Sequence, residues 1–337
     1  MGKIVGIDIG ENSVKMACFA GNKLKKAVHA ELPDSMVSDG KILSMDAMAD
    51  FLKEMAKENG IPLAGAAVTL PTSEIFTREL TMPAMNEQQL TYNLPYEFRD
   101  FLTEEKSKYF FDYSMRDIIC DDQGYPTEMR LFACAMPKAD VERYREMLRR
   151  AGFKLKVLTP VECAYSSLIE GYMARTGEGP TDRCVVNIGH RTTSLHIFHG
   201  RDSAGQREID MGLSQLDDII AEQCGVDVHV AHSYKETNYS GVLDTQYAHD
   251  FYNRLAVEIM KAVNFYHYNN WDSRLEELFL CGGGCGIEPL MSAVGEMTKL
   301  KMRSGAELLP EDARPEEPWL YLRAIGGVSE GIRGGLQ

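Results

Sequence analysis

IVGIDIGENSVK, residues 4–15, is the stretch around which this chain is read. Its apolar run carries a strand to Asp8, Gly10 and Ser13 permit a tight polar turn, and VKMACFA at 14–20 reads as the returning strand. Backbone N–H groups of such a turn can line a concave nest for phosphate. Lys15 can neutralise phosphate oxygens there, and the Asp8 carboxylate can hold a hydrated Mg²⁺ through water. One short hairpin of this kind is a weak motif, but the chain carries a second. CVVNIGHRTTSLHIFHG, residues 184–200, aligns with the first without a gap, placing Asn187 on Asp8, Gly189 on Gly10, Thr192 on Ser13 and Phe198 on Phe19. Two similar hairpins imply two similar half-domains facing each other, with a phosphate chain clamped by the paired turns. A third element, FLCGGGCGIEPL at 279–290, is an apolar strand running into Gly282, Gly283 and Gly284, where backbone can approach a flat ligand closely. The three in this order point to a nucleotide cleft.

The chain has 337 residues, 44% of them hydrophobic, enough for about two domains with a full core each. A formal charge of −14 lacks the basic field that nucleic-acid binding or attraction to anionic lipid requires. No stretch approaches the ~20 apolar residues of a membrane-spanning helix, and no early segment reads as a signal peptide, so a cytoplasmic protein is expected. The eight cysteines are scattered among apolar neighbours, and no disulfides are expected.

In chain order, residues 23–31 read as a third strand, 45–59 as a helix capped by Ser44 and stopped at Asn59-Gly60, and 66–71 as a buried strand. This succession fits a doubly wound α/β domain. Residues 72 to about 157 read as a compact α/β insert, with helices at 86–101 and 138–152 and a polar loop at 116–127. A helix at 158–175 should cross toward the second half, and GEGPTD at 177–182 reads as the boundary. Further helices are expected at 213–224 and 247–271, the latter ending in an aromatic row at 265–271 that reads as core. The domains expected are a first lobe at 1–71, the insert, a bridging helix and linker at 158–181, a second lobe at 182–320, and a return to the first lobe at 321–337.

With these motifs in hand, the sequence resembles the actin-like ATPase superfamily over nearly its whole length. VGIDIGENSVK is similar to the first phosphate motif, VVNIGHRTTSLHIF to the second and FLCGGGCGIEPL to the adenosine motif. Within that superfamily LPTSEIFTRELTMPAMNEQQL, LPYEF, AMPKADVERYREMLRRAGFKL and EIDMGLSQLDDII resemble the PilM proteins of type IV pilus assembly and their cell-division relative FtsA. The resemblance implies an actin-like (ribonuclease H-like) duplicated α/β fold, two lobes around a nucleotide cleft, with an FtsA/PilM-type insert in the first. It implies ATP and Mg²⁺ as ligands. It also implies an adaptor that docks the N-terminal peptide of a membrane-anchored PilN-like partner, reaching the inner face of the membrane only through it. A pilus assembly ATPase as second partner and self-association are left open.

By motif, Asp8, Gly10, Ser13 and Lys15 carry over to the first phosphate loop, Gly189, Thr192 and Thr193 to the second, and Gly282, Gly283 and Gly284 to the adenosine loop. Glu258 and Lys261 resemble an E-x-x-K pair that contacts ribose and base, although an i,i+3 surface ion pair has the same spacing. Asn187 departs from the usual Asp of the second motif; it carries over as a cofactor-binding residue whose amide oxygen can accept from a metal-bound water, but it cannot give the Mg²⁺ shell a second carboxylate, so hydrolysis should suffer more than binding. HVAHSYKE at 229–236 departs from an AExxK-like segment. Glu162, at the start of the bridging helix, is the candidate for orienting a hydrolytic water, and slow turnover or none is expected. His196, His199, His229 and His232 lack cysteine or carboxylate partners at a metal-ligand spacing. A small-molecule kinase and an FtsA-like filament protein are the alternatives; the first would need an acceptor-site base, the second a membrane anchor.

Overall fold

The computed structural model describes residues 2–334. β1 (Lys3–Ile9) and β2 (Ser13–Ala20) form the first hairpin, and β3 (Lys23–Glu31) extends it as a half-exposed edge. After the short pair β4 (Val37–Ser38) and β5 (Lys41–Ile42), α1 (Met45–Glu58) begins where the Ser44 side chain accepts from the Ala47 N–H. It buries Met48, Leu52 and Met55 and stops at Asn59, followed by Gly60 at φ +63°. β6 (Gly65–Leu70) then runs parallel to β1.

The insert is a three-stranded antiparallel sheet of β7 (Phe76–Pro83), β8 (Tyr109–Cys120) and β9 (Pro126–Pro137), with β9 in the middle. α2 (Glu87–Glu97), started by a capping box of Asn86 and Gln89, covers it through Leu90 and Leu94. The loop expected at 116–127 is shorter. Strand pairing continues to Cys120 and resumes at Pro126, because Asp121 Oδ1 accepts the N–H groups of Gln123 and Tyr125 and Gly124 takes φ +84°, closing the turn within five residues.

α3 (Lys138–Ala151) ends at Gly152 with φ +91°. It packs Tyr144, Met147 and Leu148 into the same core as Met48 and Leu52, and Arg150 pairs with Asp46 and Asp50 of α1. β10 (Lys154–Pro160) lies parallel to β6, so residues 158–160, expected to be helical, are strand, and α4 (Val161–Thr176) starts only after Pro160. Lys138–Pro160 therefore belongs to the first sheet's layers rather than to the insert's own sheet. The first sheet has the order β10-β6-β1-β2-β3.

The second sheet is built the same way. β11 (Asp182–Ile188), β12 (Thr193–His199) and β13 (Asp202–Ile209) form a meander, followed by α5 (Leu213–Cys224), α6 (Val228–Thr237) and α7 (Gln246–Asn269). β14 (Glu277–Cys281), α8 (Glu288–Thr298) and β15 (Lys301–Ser304) complete it. Its order, β13-β12-β11-β14-β15, repeats that of the first sheet strand for strand. The aromatic row is not core: Tyr266 is buried, but Phe265, Tyr268 and Trp271 are 67%, 87% and 92% exposed. Only Tyr266 falls on the face of α7 that buries Ile259 and Val263.

α9 (Leu322–Arg333) closes the described chain. The chain divides into two compact units, one holding residues up to Ser167 and again from Arg323, the other Leu168–Leu322. Both changes of unit fall inside helices. The GEGPTD segment lies within the second unit and is tied down there, since Glu178 accepts from Tyr172 Oη and from Arg183, each at 2.7 Å. In the first unit α9 sits so close to β1 that a Cβ on Gly6 would stand 1.9 Å from the Ala324 carbonyl oxygen. Only glycine allows that approach.

Candidate functional site

The first turn is held by the Gly10 N–H donating to the Ser13 carbonyl at 3.0 Å. Strand register sets Lys15 opposite Asp8 on one face, and the Lys15 ammonium donates to Ser13 Oγ at 2.6 Å. Burial pulls the Lys15 pKa below its ordinary value, Asp8 opposes that shift, and Arg323 adds to it. Asp8, Gly10, Ser13 and Lys15 are thus brought together. The register continues across the sheet, with Asp8 opposite Thr69 and Thr69 opposite Thr159. A polar line therefore crosses four neighbouring strands, Lys15, Asp8, Thr69 and Thr159. Past its end lies Glu162, in the first turn of α4. Glu162 is 2% exposed, and its carboxyl is approached by its own backbone N–H and by the Thr72 side chain. Burial raises its pKa, against the pull of the Arg323 charge.

The second turn copies the first: the Gly189 N–H donates to the Thr192 carbonyl at 3.0 Å. Its chemistry differs. Ser194 stands opposite Asn187, where the first turn has Lys15 opposite Asp8, so this pair of positions has neither the carboxylate nor the cation, and the turn's own cation is Arg191. The Asn187 Oδ1 accepts from the Cys281 thiol at 3.7 Å. Thr192 remains at the turn, whereas the buried Thr193 hydroxyl donates to the Met211 carbonyl at 2.9 Å and is part of the fold.

The glycine run lies beside this turn because β14 pairs with β11, Cys281 opposite Asn187. A Cβ on Gly282, which has φ +89°, would lie 2.4 Å from the Ile188 carbonyl oxygen, and one on Gly284 would lie 2.4 Å from Ile188 Cγ2. Close packing on the end of β11 therefore already requires these two glycines. Glu258 and Lys261 pair with each other at 2.7 Å on an exposed face of α7, in keeping with the surface-pair alternative.

Sequence reasoning missed a second group of residues. His190 follows Gly189, and its ring meets His232 edge to face at 6.2 Å. His232 Nδ1 lies 3.0 Å from Asp217 Oδ2, and the Lys235 ammonium lies 2.9 Å from the same carboxylate, with Asp217 and Lys235 both almost fully buried. The departure at 229–236 was the only signal, because Asp217 reaches this cluster from α5, a distant part of the sequence. Burial, then the Lys235 charge, hold His190 down at about 4, from an ordinary 6.5. The unfolded chain therefore takes up a proton there before the folded one does. The stability contributed is complete above pH 6.5 and is lost as pH falls toward 4. The melting temperature of wild type should fall across that window more steeply than that of His190→Gln; parallel curves would show that His190 is not held neutral. Arg323, also missed, donates through Nε to Tyr165 Oη at 3.1 Å.

No cluster of three metal-binding side chains occurs among the described residues, and no described helix is long and apolar enough to cross a membrane. Two units with matching strand orders, each led by a glycine-turned hairpin, define the actin-like ATPase fold. An archaeal actin homologue aligns over 99% of this chain and 100% of its own with TM-score 0.50 and 14% identity. MreB5 of Spiroplasma citri, solved bound to ADP, aligns over 99% of each chain with TM-score 0.53 and 13% identity. The chain belongs to the family of type IV pilus assembly protein PilM, whose model matches residues 6–304. A solved PilM–PilN type IV pilus biogenesis complex aligns over 99% of this chain and 98% of its own, with TM-score 0.77 and 18% identity. Among curated protein sequences nothing matches.

Proposed function

We propose that this chain is an ATP-binding adaptor of type IV pilus assembly, cytoplasmic, and held at the inner face of the membrane by a PilN-like protein whose N-terminal peptide it binds. The observation that carries the nucleotide part is the first turn, where Lys15, Ser13 and Asp8 converge over Gly10. Lys15 would take phosphate oxygens. A magnesium ion keeps most of its waters and needs only one or two carboxylates beside the phosphates, so Asp8 suits it. Gly189 and Thr192 of the second turn would serve the phosphates, and the glycine run the adenosine.

With Asn187 in the second turn and Glu162 buried, ATP acts mainly as a structural ligand and is turned over slowly or not at all. At a concentration a hundredfold above its dissociation constant, a ligand stabilises the form that binds it by about 2.7 kcal/mol. That is enough to set a docking surface without chemistry. Likeness to the PilM–PilN complex supports a PilN-like partner, and we assign its peptide to the insert together with the rest of the first unit.

Calorimetry of Mg-ATP with wild type, Asp8→Asn and Asp8→Ala tests the nucleotide part. Asp8→Ala should weaken binding by about 1–3 kcal/mol, the scale of a lost charged hydrogen-bonding partner. Asp8→Asn, which leaves less of a packing defect, should lose a similar amount. Binding as tight as wild type in both variants would remove the first turn from the site.

A further inference from the structure

The outer face of α2 carries a pair of tyrosines that the insert's own core does not use. Tyr92 and Tyr96 stand one turn apart, 67% and 46% exposed, while Leu90 and Leu94 of the same helix are buried in that core. The two rings lie 5.9 Å apart between centroids, tilted by 54°. The Lys106 ammonium sits over both, 3.8 Å from the Tyr96 centroid and 5.5 Å from that of Tyr92. The pair is therefore a seat for a cation, filled by a lysine of the same chain. Two other exposed rings of the insert are capped by their own chain, Phe101 by Arg78 and Phe110 by Lys138, but those cations are anchored to backbone as well, at the Glu97 and Ser107 carbonyls. Lys106 is held by the rings and the Tyr96 hydroxyl, and it is exposed. A cation on an exposed ring is held weakly, so another cation can displace it at little cost.

The surroundings select the charge of what arrives. Residues 87–106 carry five carboxylates, Glu87, Glu97, Asp100, Glu104 and Glu105, against the two cations Arg99 and Lys106, in a protein of formal charge −14. We propose that Tyr92 and Tyr96 seat a lysine or arginine of the membrane-anchored PilN-like partner, in the stretch between its docked N-terminal peptide and its membrane span, and that Lys106 holds the seat in the free protein. This rests on the reading of that partner. Cytoplasmic segments within about 15–20 residues of a membrane span are enriched in Lys and Arg, so such a partner brings the cations that an acidic, ring-lined face accepts. Arginine suits the seat best, because its planar guanidinium stacks on a ring and still donates to a carboxylate.

The test uses the cytoplasmic segment of a PilN-like protein, synthesised from its first residue to its membrane span, beside a second peptide with glutamine at every Lys and Arg of its last ~15 residues. The readout is the ratio of the two affinities, by fluorescence titration at low salt, which cancels a general loss of folded protein. Lys106→Ala removes the competitor and should raise the ratio in favour of the basic peptide about two- to fivefold, the worth of one exposed contact. Lys108→Ala removes the same charge two residues away, from the Glu104 ion pair rather than from the rings, and should raise it less. Adding Tyr92→Ala and Tyr96→Ala to Lys106→Ala should lower the ratio about five- to thirtyfold, the worth of two such contacts. A ratio that Lys106→Ala raises no more than Lys108→Ala does, or that the added tyrosine changes leave within about twofold, would overturn this proposal alone. A wild type that binds neither peptide would overturn the partner reading, and this proposal with it.

Discussion

Asp217→Ala is expected to destabilise the second unit by about 3–5 kcal/mol, the cost of leaving a buried charge without its partner. Asp217 and Lys235 are each 2% exposed in their side chains, and the ammonium stands 2.9 Å from the carboxylate. Removing the carboxylate leaves the ammonium with only His232 Nδ1 at 3.3 Å and the Glu236 carboxylate at 3.9 Å, and takes from His232 its partner at 3.0 Å. The paired replacement Asp217→Leu with Lys235→Met removes both charges and should recover most of the loss, because well-packed apolar substitutes for a buried pair are often close to neutral. Urea unfolding followed by circular dichroism reads both variants. A loss below about 1 kcal/mol, the range of an exposed pair, would mean that the Lys235 ammonium reaches water in solution.

Excision of residues 77–134 should abolish capture of a PilN-like peptide while nucleotide binding persists. The excision is feasible because Phe76 and Ala135 are directly opposed across the β7–β9 pair, so a short glycine-serine turn can join them. The sheet removed has its own core around Leu80, Leu94, Phe98 and Leu131, while Ile75 and Met136, retained, pack into the first unit's main core. Peptide affinity should fall by at least a hundredfold, about 2.7 kcal/mol, in a pull-down or fluorescence titration. Retained capture would move the docking surface off the insert. Deletion of 72–157, the span read from the sequence, is expected to give insoluble protein instead, because it removes β10 from the sheet and Tyr144, Met147 and Leu148 from the core.

The duplicated fold was legible because its signals are local and repeated. Both hairpins show their strand, glycine and returning strand in consecutive residues, and Ser44, Asn86 and Gly152 announce helix ends in their own sequence. The extent of the insert was not legible. Nothing in KLKVLTP distinguishes a strand beside β6 from the start of the helix after it, since that pairing is made with residues some ninety positions earlier. The site divides along the same line. Asp8, Gly10, Ser13 and Lys15 meet within one hairpin, whereas Arg323 reaches Tyr165 and Asp217 reaches Lys235 only through tertiary packing. Thr193 and Gly284 fit a motif, yet hydrogen bonding to Met211 and contact with Ile188 account for them.

The discontinuity of the first unit has a consequence for the order in which the protein can form on the ribosome. Residues 168–322 are contiguous, so the second unit can be complete while synthesis is still under way. The first unit has its sheet in full once Pro160 has emerged, but it lacks the cover that Gly6 is shaped to receive until Ala324 is made. For the time needed to translate more than 160 residues, about 8–30 s at typical elongation rates, the face of the sheet around Gly6 and Thr69 is without its helix. Folding of this unit therefore waits for α9, and the line from Lys15 to Thr159 stays uncovered until then. A nascent chain stalled before Arg323 should expose that face to chaperones, and one stalled on a flexible extension added after residue 337 should not.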